Sequence, residues 1–463
     1  MDPVTLARIQ FAFTVAYHFL FVPISLGTAL MLVIAERRYY RSGDAGDRAT
    51  SDLFKRLFAV TFAIGVATGI TMEFAFGMNW ATYSRFVGDI FGAPLAAEAV
   101  LAFFLESTFL GVLLYGRQRV SKRFYYVSTW LVLLGSHLSA LWIIIANSWQ
   151  QTPAGFAVRS GRAVLTDFAA AALNPSTLPR YFHTVVSTWV VGSFIAAGIA
   201  AWYLLKGKHE GFARSVMPTA LGIALVTTLA MPILGHWHAQ QVAATQPVKA
   251  AAFEGLYQSG PRATLMLAGW TDPVARTTTG IGIPGGLSFL IAFDQSYQVA
   301  GLDSVPASLW PPVNETFQLY HTMIAVGVLI ILIAGFAWVL LWRKRLARNR
   351  FALWLLVLAA PLSMVAIQTG WAAAEVGRQP WIVWGQLKTA DAISTVVPSG
   401  QILVTLALFA AVYAVLFVGW ARIFFGVIAA GPVTGPKAAS TRPGRPSSRS
   451  NTAAPDTDDE PGR

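Results

Sequence analysis

An acid and a cation stand where an apolar stretch ends, in the run Trp371-Ala-Ala-Ala-Glu375-Val-Gly377-Arg378-Gln379-Pro380-Trp381. An ionisable side chain at membrane depth is expensive to place and is usually functional. Other apolar stretches carry a lone ligand-type residue near one end: His18, His183 and Met323. Glu98 and Glu106 share a further stretch, eight residues apart, or about 12 Å at roughly 1.5 Å per helical residue. Carboxylates at such depth suit proton relay. The chain has zero cysteines, which excludes disulfides, thiolate iron–sulfur clusters, Cys-x-x-Cys-His haem attachment and a thiolate copper centre. Any metal must sit on His, Met, Glu or Asp, and the set of buried ligands reads as haem chemistry.

The elements that hold these residues follow from composition. Of 463 residues 55% are hydrophobic and only 12% charged, and the apolar residues fall in runs of about 20, the length that crosses a hydrocarbon core of about 30 Å. The fold class is therefore an all-α integral membrane protein. Nine spans are expected: roughly 11–35, 53–78, 95–116, 124–149, 181–205, 215–234, 317–342, 351–374 and 402–427. The formal charge of +12 is spread over short basic segments, among them Arg37 to Arg56, Arg117 to Arg123, Lys206 to Arg214 and Arg343 to Arg350. They fall on one side of the expected topology, so they set orientation and do not suggest nucleic acid. That side is the cytoplasm by the positive-inside rule. The N-terminus is then outside, the C-terminus cytoplasmic, and the first span is retained because no cleavable leader is evident.

Four regions follow. Residues 1–234 hold spans one to six, 235–315 form an external loop rich in Gly and Pro, 316–430 hold spans seven to nine, and 431–463 form a polar, disordered tail. No internal repeat of a transporter kind is visible. With this orientation His18, His183, Met323 and Glu375 lie near the external face. His with Met is a pair that holds a low-spin b-type haem, and His183 and Met323 are the natural pair. His18 and Glu375 are left for irons that keep an open position for oxygen. Among the other histidines, His137 reads as structural, His209 as solvated, and His236-Trp237-His238 as an interfacial anchor. His321 stands two residues before Met323, beside the same haem edge.

The sequence resembles subunit I of the cytochrome bd-type quinol oxidases. The likeness is carried by Tyr17-His18-Phe-Leu-Phe-Val-Pro23, Gly69-Ile-Thr-Met-Glu73-Phe, Gly88-Asp-Ile-Phe-Gly-Ala-Pro94 running on through Glu98 to Glu106-Ser-Thr, Ala140-Leu-Trp-Ile with Asn147, Gln246-Pro-Val-Lys249 with Glu254-Gly255, and Gly377-Arg378-Gln-Pro-Trp381. It implies two b-type haems and one d-type haem. His183 and Met323 would hold the low-spin b haem, and His18 and Glu375 the high-spin b and d haems, with the split between them open. Glu98 would lie near the oxygen-reducing iron and Glu106 on the proton path. Lys249 and Glu254 match quinol-site residues, Trp371 an aromatic between the haems, and Arg378 a partner of haem propionates or of Glu375.

The implied activity is quinol:O2 oxidoreduction, which builds proton motive force by charge separation without pumping. It would take place in the bacterial cytoplasmic membrane with menaquinol or ubiquinol, a second membrane subunit and small accessory subunits. Two departures stand out. The external loop is too short for the insertion of long-loop members, and His321 occupies a position where some members carry Arg. A b-haem-only, cyanide-insensitive relative shares the ligands, whereas a proton-coupled transporter would explain buried Glu and His but not Met323 or the Gly-Arg-Gln-Pro-Trp segment.

Overall fold

The computed structural model describes residues 1–433; the expected disordered tail beyond Val433 lies outside them. Among the described residues nine helices are long and apolar enough to cross a membrane. They are α1 (Pro3–Ser42), α2 (Ala45–Met78), α3 (Ala81–Tyr115), α4 (Lys122–Gln151), α5 (Thr177–Lys206), α6 (Glu210–Thr245), α7 (Val313–Trp342), α8 (Arg350–Val376) and α9 (Ser399–Ala430). The chain is an all-α integral membrane protein, as its apolar runs predict. Helices are obligatory here because lipid offers no partner for an open backbone N–H or C=O.

Short polar signals start and stop these helices. Asp2, Asp44 and Ser121 accept hydrogen bonds from first-turn amides of α1, α2 and α4, and Gly43, in the left-handed region at φ 66°, ends α1. The bundle centre is built from α1 and α5, which cross almost backbone to backbone: a Cβ on Gly27 would lie 2.5 Å from the Thr188 carbonyl oxygen and 2.6 Å from Gly192 Cα. Small residues at such a crossing gain van der Waals contact that lipid cannot supply. Phe21, Phe54, Phe58 and Phe194 fill the core around it. At the end of the bundle opposite the long loop, Arg117 pairs with Glu36 at 2.7 Å and Asp52 at 3.3 Å, tying the end of α3 to α1 and α2.

Several boundaries lie beyond the apolar runs: α1 begins at Pro3 rather than 11, α2 at Ala45 rather than 53 and α3 at Ala81 rather than 95. Helix α6 runs on to Thr245, past Leu234 where the apolar run stops, and α7 begins at Val313. The loop is thus 246–312 rather than 235–315. Residues 235–245 include the helix formers Ala239, Gln240, Gln241, Ala243 and Ala244 on a helix already nucleated, so the polar change marks departure from lipid and not the end of the helix. Helix α3 is also interrupted, because Glu98–Phe103 is a π-helical segment. Pro94, four residues earlier, has no N–H for the helical ladder. The straight-helix spacing of Glu98 and Glu106 therefore does not apply across this turn.

The loop is ordered. A short helix, Pro247–Glu254, is followed by an antiparallel hairpin of β1 (Leu265–Asp272) and β2 (Thr277–Ile283) whose register shifts between Met266 and Ala268.

Candidate functional site

One cavity of about 1340 Å³ runs through the bundle, larger than the roughly 300–1,000 Å³ of an ordinary small-ligand pocket. All ten residues singled out by sequence line it: His18, Glu98, Glu106, His183, Lys249, Glu254, Met323, Trp371, Glu375 and Arg378. They come from α1, α3, α5, the short loop helix, α7, α8 and the turn after α8. Among the described residues no three His, Cys, Asp or Glu converge as a cage for a bare ion; the candidate iron ligands stand singly around the cavity.

Three of them face a glycine of a neighbouring helix. A Cβ on Gly69 would lie 3.2 Å from His18 Cε1, one on Gly235 3.5 Å from His183 Cε1, and one on Gly370 only 2.5 Å from Met323 Sδ. The tautomer of His18 also follows from its neighbours. The Thr68 hydroxyl donates to the carbonyls of Ile64 and Gly65, at 2.9 and 3.0 Å, so it accepts from His18 Nδ1–H at 3.0 Å. That leaves Nε2 with a lone pair for a metal. His183 Nδ1 is buried without a hydrogen-bond partner. The residues fit axial ligation of haem.

Glu375 sits in a charged cluster. Its Oε2 meets Arg378 Nη2 at 2.6 Å and its Oε1 meets Arg180 Nη2 at 3.5 Å. Asn147 and Gln151, on α4, donate to the same Oε1 at 3.1 and 3.4 Å. Arg378 donates to Gln150 at 2.5 Å, and Arg180 to Asn147. Of the two partners expected for Arg378, the structure pairs it with Glu375. Sequence reading missed Arg180, Gln150 and Gln151 altogether, since an Arg at the start of a span looks like an interfacial anchor.

Gln151 extends the cluster to the loop, because Lys249 Nζ donates to its Oε1 at 2.8 Å. Lys249 is 1% exposed, and burial, with Arg180 nearby, pushes its ammonium well below the ordinary value. Glu254 accepts the Met266 N–H at 3.1 Å. Burial pushes its carboxyl up to about 8 against that hydrogen bond.

On the α3 side, Ser139 donates to Glu98 at 2.7 Å and Ser136 donates to Glu106. Trp371 lies 6.2 Å from Phe19, centroid to centroid. His137 has a structural role, with Nδ1 2.7 Å from the Leu133 carbonyl and Nε2 accepting from Trp189 at 3.1 Å. His238, expected as an anchor, instead lines the cavity with its ring 5.8 Å from that of His183. His321 is buried, and its Nε2 lies 3.0 Å from the Met266 carbonyl.

Residues 6–432 match the sequence profile of the family described as Cytochrome bd terminal oxidase subunit I. The chain belongs to that family. It is 37% identical over 428 residues to the cytochrome bd ubiquinol oxidase subunit 1 of Bacillus subtilis, covering 90% of this chain and 91% of the relative. It is 34% identical over 489 residues to the cytochrome bd-II ubiquinol oxidase subunit 1 of Escherichia coli, covering 90% and 94%. The fold is similar to the bd oxidase structure from Geobacillus thermodenitrificans, with a TM-score of 0.87 at 30% identity over 93% of this chain and 99% of that one. The protein is thus a subunit of a cytochrome bd-type terminal oxidase, a membrane-bound oxidoreductase.

Proposed function

We propose that this chain oxidises membrane quinol at the 246–312 loop and reduces O2 to water inside the bundle, as the haem-bearing subunit of a two-subunit oxidase of the bacterial cytoplasmic membrane. The observation that carries this reading is the single cavity lined at once by the loop pair Lys249 and Glu254, the iron-ligand set and the α3 carboxylates. His183 and Met323 would hold a low-spin b haem, and His18 and Glu375 the high-spin b haem and the d haem. When bound, the haems supply electron transfer and the iron at which O2 is reduced.

The protein's own residues handle protons and charge. Glu254 and Lys249 lie where quinol releases its protons, and burial favours the neutral form of each: the uncharged Lys249 amine can take a proton directly, whereas the Glu254 carboxyl takes one only after it has ionised. The Lys249–Gln151–Glu375 contacts link this end to the charged cluster. Arg180 and Arg378 hold Glu375 oriented and leave one positive charge beyond it, which suits an anionic group such as a propionate. Ser139 and Ser136 orient Glu98 and Glu106 as the last carboxylates of a proton path. With the basic loops cytoplasmic, protons are released outside and drawn from inside, so the reaction is electrogenic without a pump.

A dithionite-reduced minus oxidised spectrum of the purified complex tests this reading. A far-red band beside b-type bands is expected; b bands alone would favour the b-haem-only form, and a folded complex without haem would overturn the oxidase.

A further inference from the structure

Helix α7 reads the loop hairpin by its main chain. Asn314, Gln318 and His321 lie at helical spacings of four and three, on one face. Asn314 Oδ1 accepts from Thr271 N at 3.3 Å, Gln318 Nε2 donates to the Gly269 carbonyl at 2.9 Å, and His321 Nε2 lies 3.0 Å from the Met266 carbonyl. His321 Nδ1 lies 2.9 Å from the Phe317 carbonyl of its own helix; a carbonyl oxygen only accepts, so each of these contacts is made by a ring N–H, and the one that reaches Met266 is the Nε2–H. The imidazole is steadied by the Phe317 ring, stacked at 3.9 Å, and by the edge of Tyr320 at 5.5 Å.

The third contact falls at the irregular register of β1, between Met266 and Ala268, and bulges of this kind re-aim groups next to sites. Met266 turns both main-chain groups to use: its carbonyl takes the His321 proton donor, and its N–H donates to Glu254 Oε2 at 3.1 Å. Only the two dihedrals of Met266 separate these groups. With the rest of the strand paired, holding the carbonyl restricts where the N–H points, and hence where the buried carboxyl is aimed.

We propose that His321 is a positioning residue for Glu254, acting through the Met266 main chain, so that the helix carrying Met323 also sets the aim of the loop carboxyl. This rests on the assignment of Glu254 to quinol oxidation made above. Sequence reading placed His321 beside a haem edge; the geometry gives it a partner in the loop.

The test uses the purified oxidase complex with three variants. His321→Leu removes the donor; His321→Gln keeps an N–H; Glu254→Gln identifies the carboxyl infrared band of Glu254 by its disappearance. In His321→Leu that band shifts and kcat for quinol falls about five- to tenfold, the worth of one hydrogen bond. His321→Gln restores most of both, and the low-spin haem spectrum stays unchanged. Combining His321→Leu with Glu254→Gln lowers turnover no further than Glu254→Gln alone. An unmoved band in His321→Leu overturns the proposal, as does a loss of turnover that Gln does not relieve or that adds to that of Glu254→Gln. Full quinol turnover in Glu254→Gln would overturn the quinol assignment instead, while the band shift would still support the positioning contact.

Discussion

Gly370 shows how closely single atoms are set in this cavity, since a methyl group there would stand 2.5 Å from Met323 Sδ. Gly370→Ala should therefore displace the sulfur and mimic Met323→Leu, converting the low-spin haem spectrum to a high-spin one and cutting quinol turnover at least tenfold, with the other haem bands intact. A low-spin spectrum retained in Met323→Leu would remove Met323 as a ligand. Glu254 gives a pH signature. With its carboxyl pushed up to about 8, it is protonated at neutral pH and ionises as pH rises through that value. If the carboxylate is the acceptor of the quinol proton, turnover climbs between about pH 7 and 9, and Glu254→Gln flattens the climb. A His or Glu at the end of an apolar run is costly and stands out in the sequence, whereas a lone Met there is ordinary core packing and Glu254 lies in the loop, so these two are legible mainly through the family likeness. Arg180 is not legible in either way, since the same residue at a helix start is also an ordinary interfacial anchor, and only the fold reveals that it turns inward to Glu375.

Helices are legible where lipid dictates them and less so where it stops. All nine spans follow from apolar runs, yet the last eleven residues of α6 are polar enough to read as loop while continuing the helix to Thr245. The π segment at Glu98–Phe103 has a partial signal in Pro94, but proline alone does not say where the ladder slips. Close helix crossings are written in glycine, and the α1–α5 contact is the tightest test of that. Gly192→Leu drives a side chain into the Gly27 backbone, which cannot yield. Overpacking costs about 1–3 kcal/mol even where neighbours can adjust, so the variant should lose most of its haem-loaded complex, seen as a lower haem-to-protein ratio and a lower Tm.

At the scale of the whole molecule, orientation rests on the basic segments that share one side of the bundle. The chain's own lack of cysteine makes this simple to check, because an introduced cysteine is its only thiol. In intact cells with the outer barrier removed, an impermeant maleimide should label Thr277→Cys at the hairpin and spare Arg119→Cys on the basic face; the reverse pattern would invert the topology. The clasp between α7 and β1 has a consequence of another kind. Its strand side is made mainly of peptide groups at 266, 269 and 271, two carbonyls and one N–H, with the Thr271 hydroxyl adding a longer contact to Asn314 at 3.4 Å. The side chain at 266 can drift through evolution without releasing the clasp, whereas position 269 must stay glycine, since a Cβ there would lie 2.5 Å from the Thr279 carbonyl oxygen, and position 321 must keep a donor. Two relatives could then share this contact while their hairpin sequences have little in common beyond that glycine, and a comparison of side chains alone would pass over it.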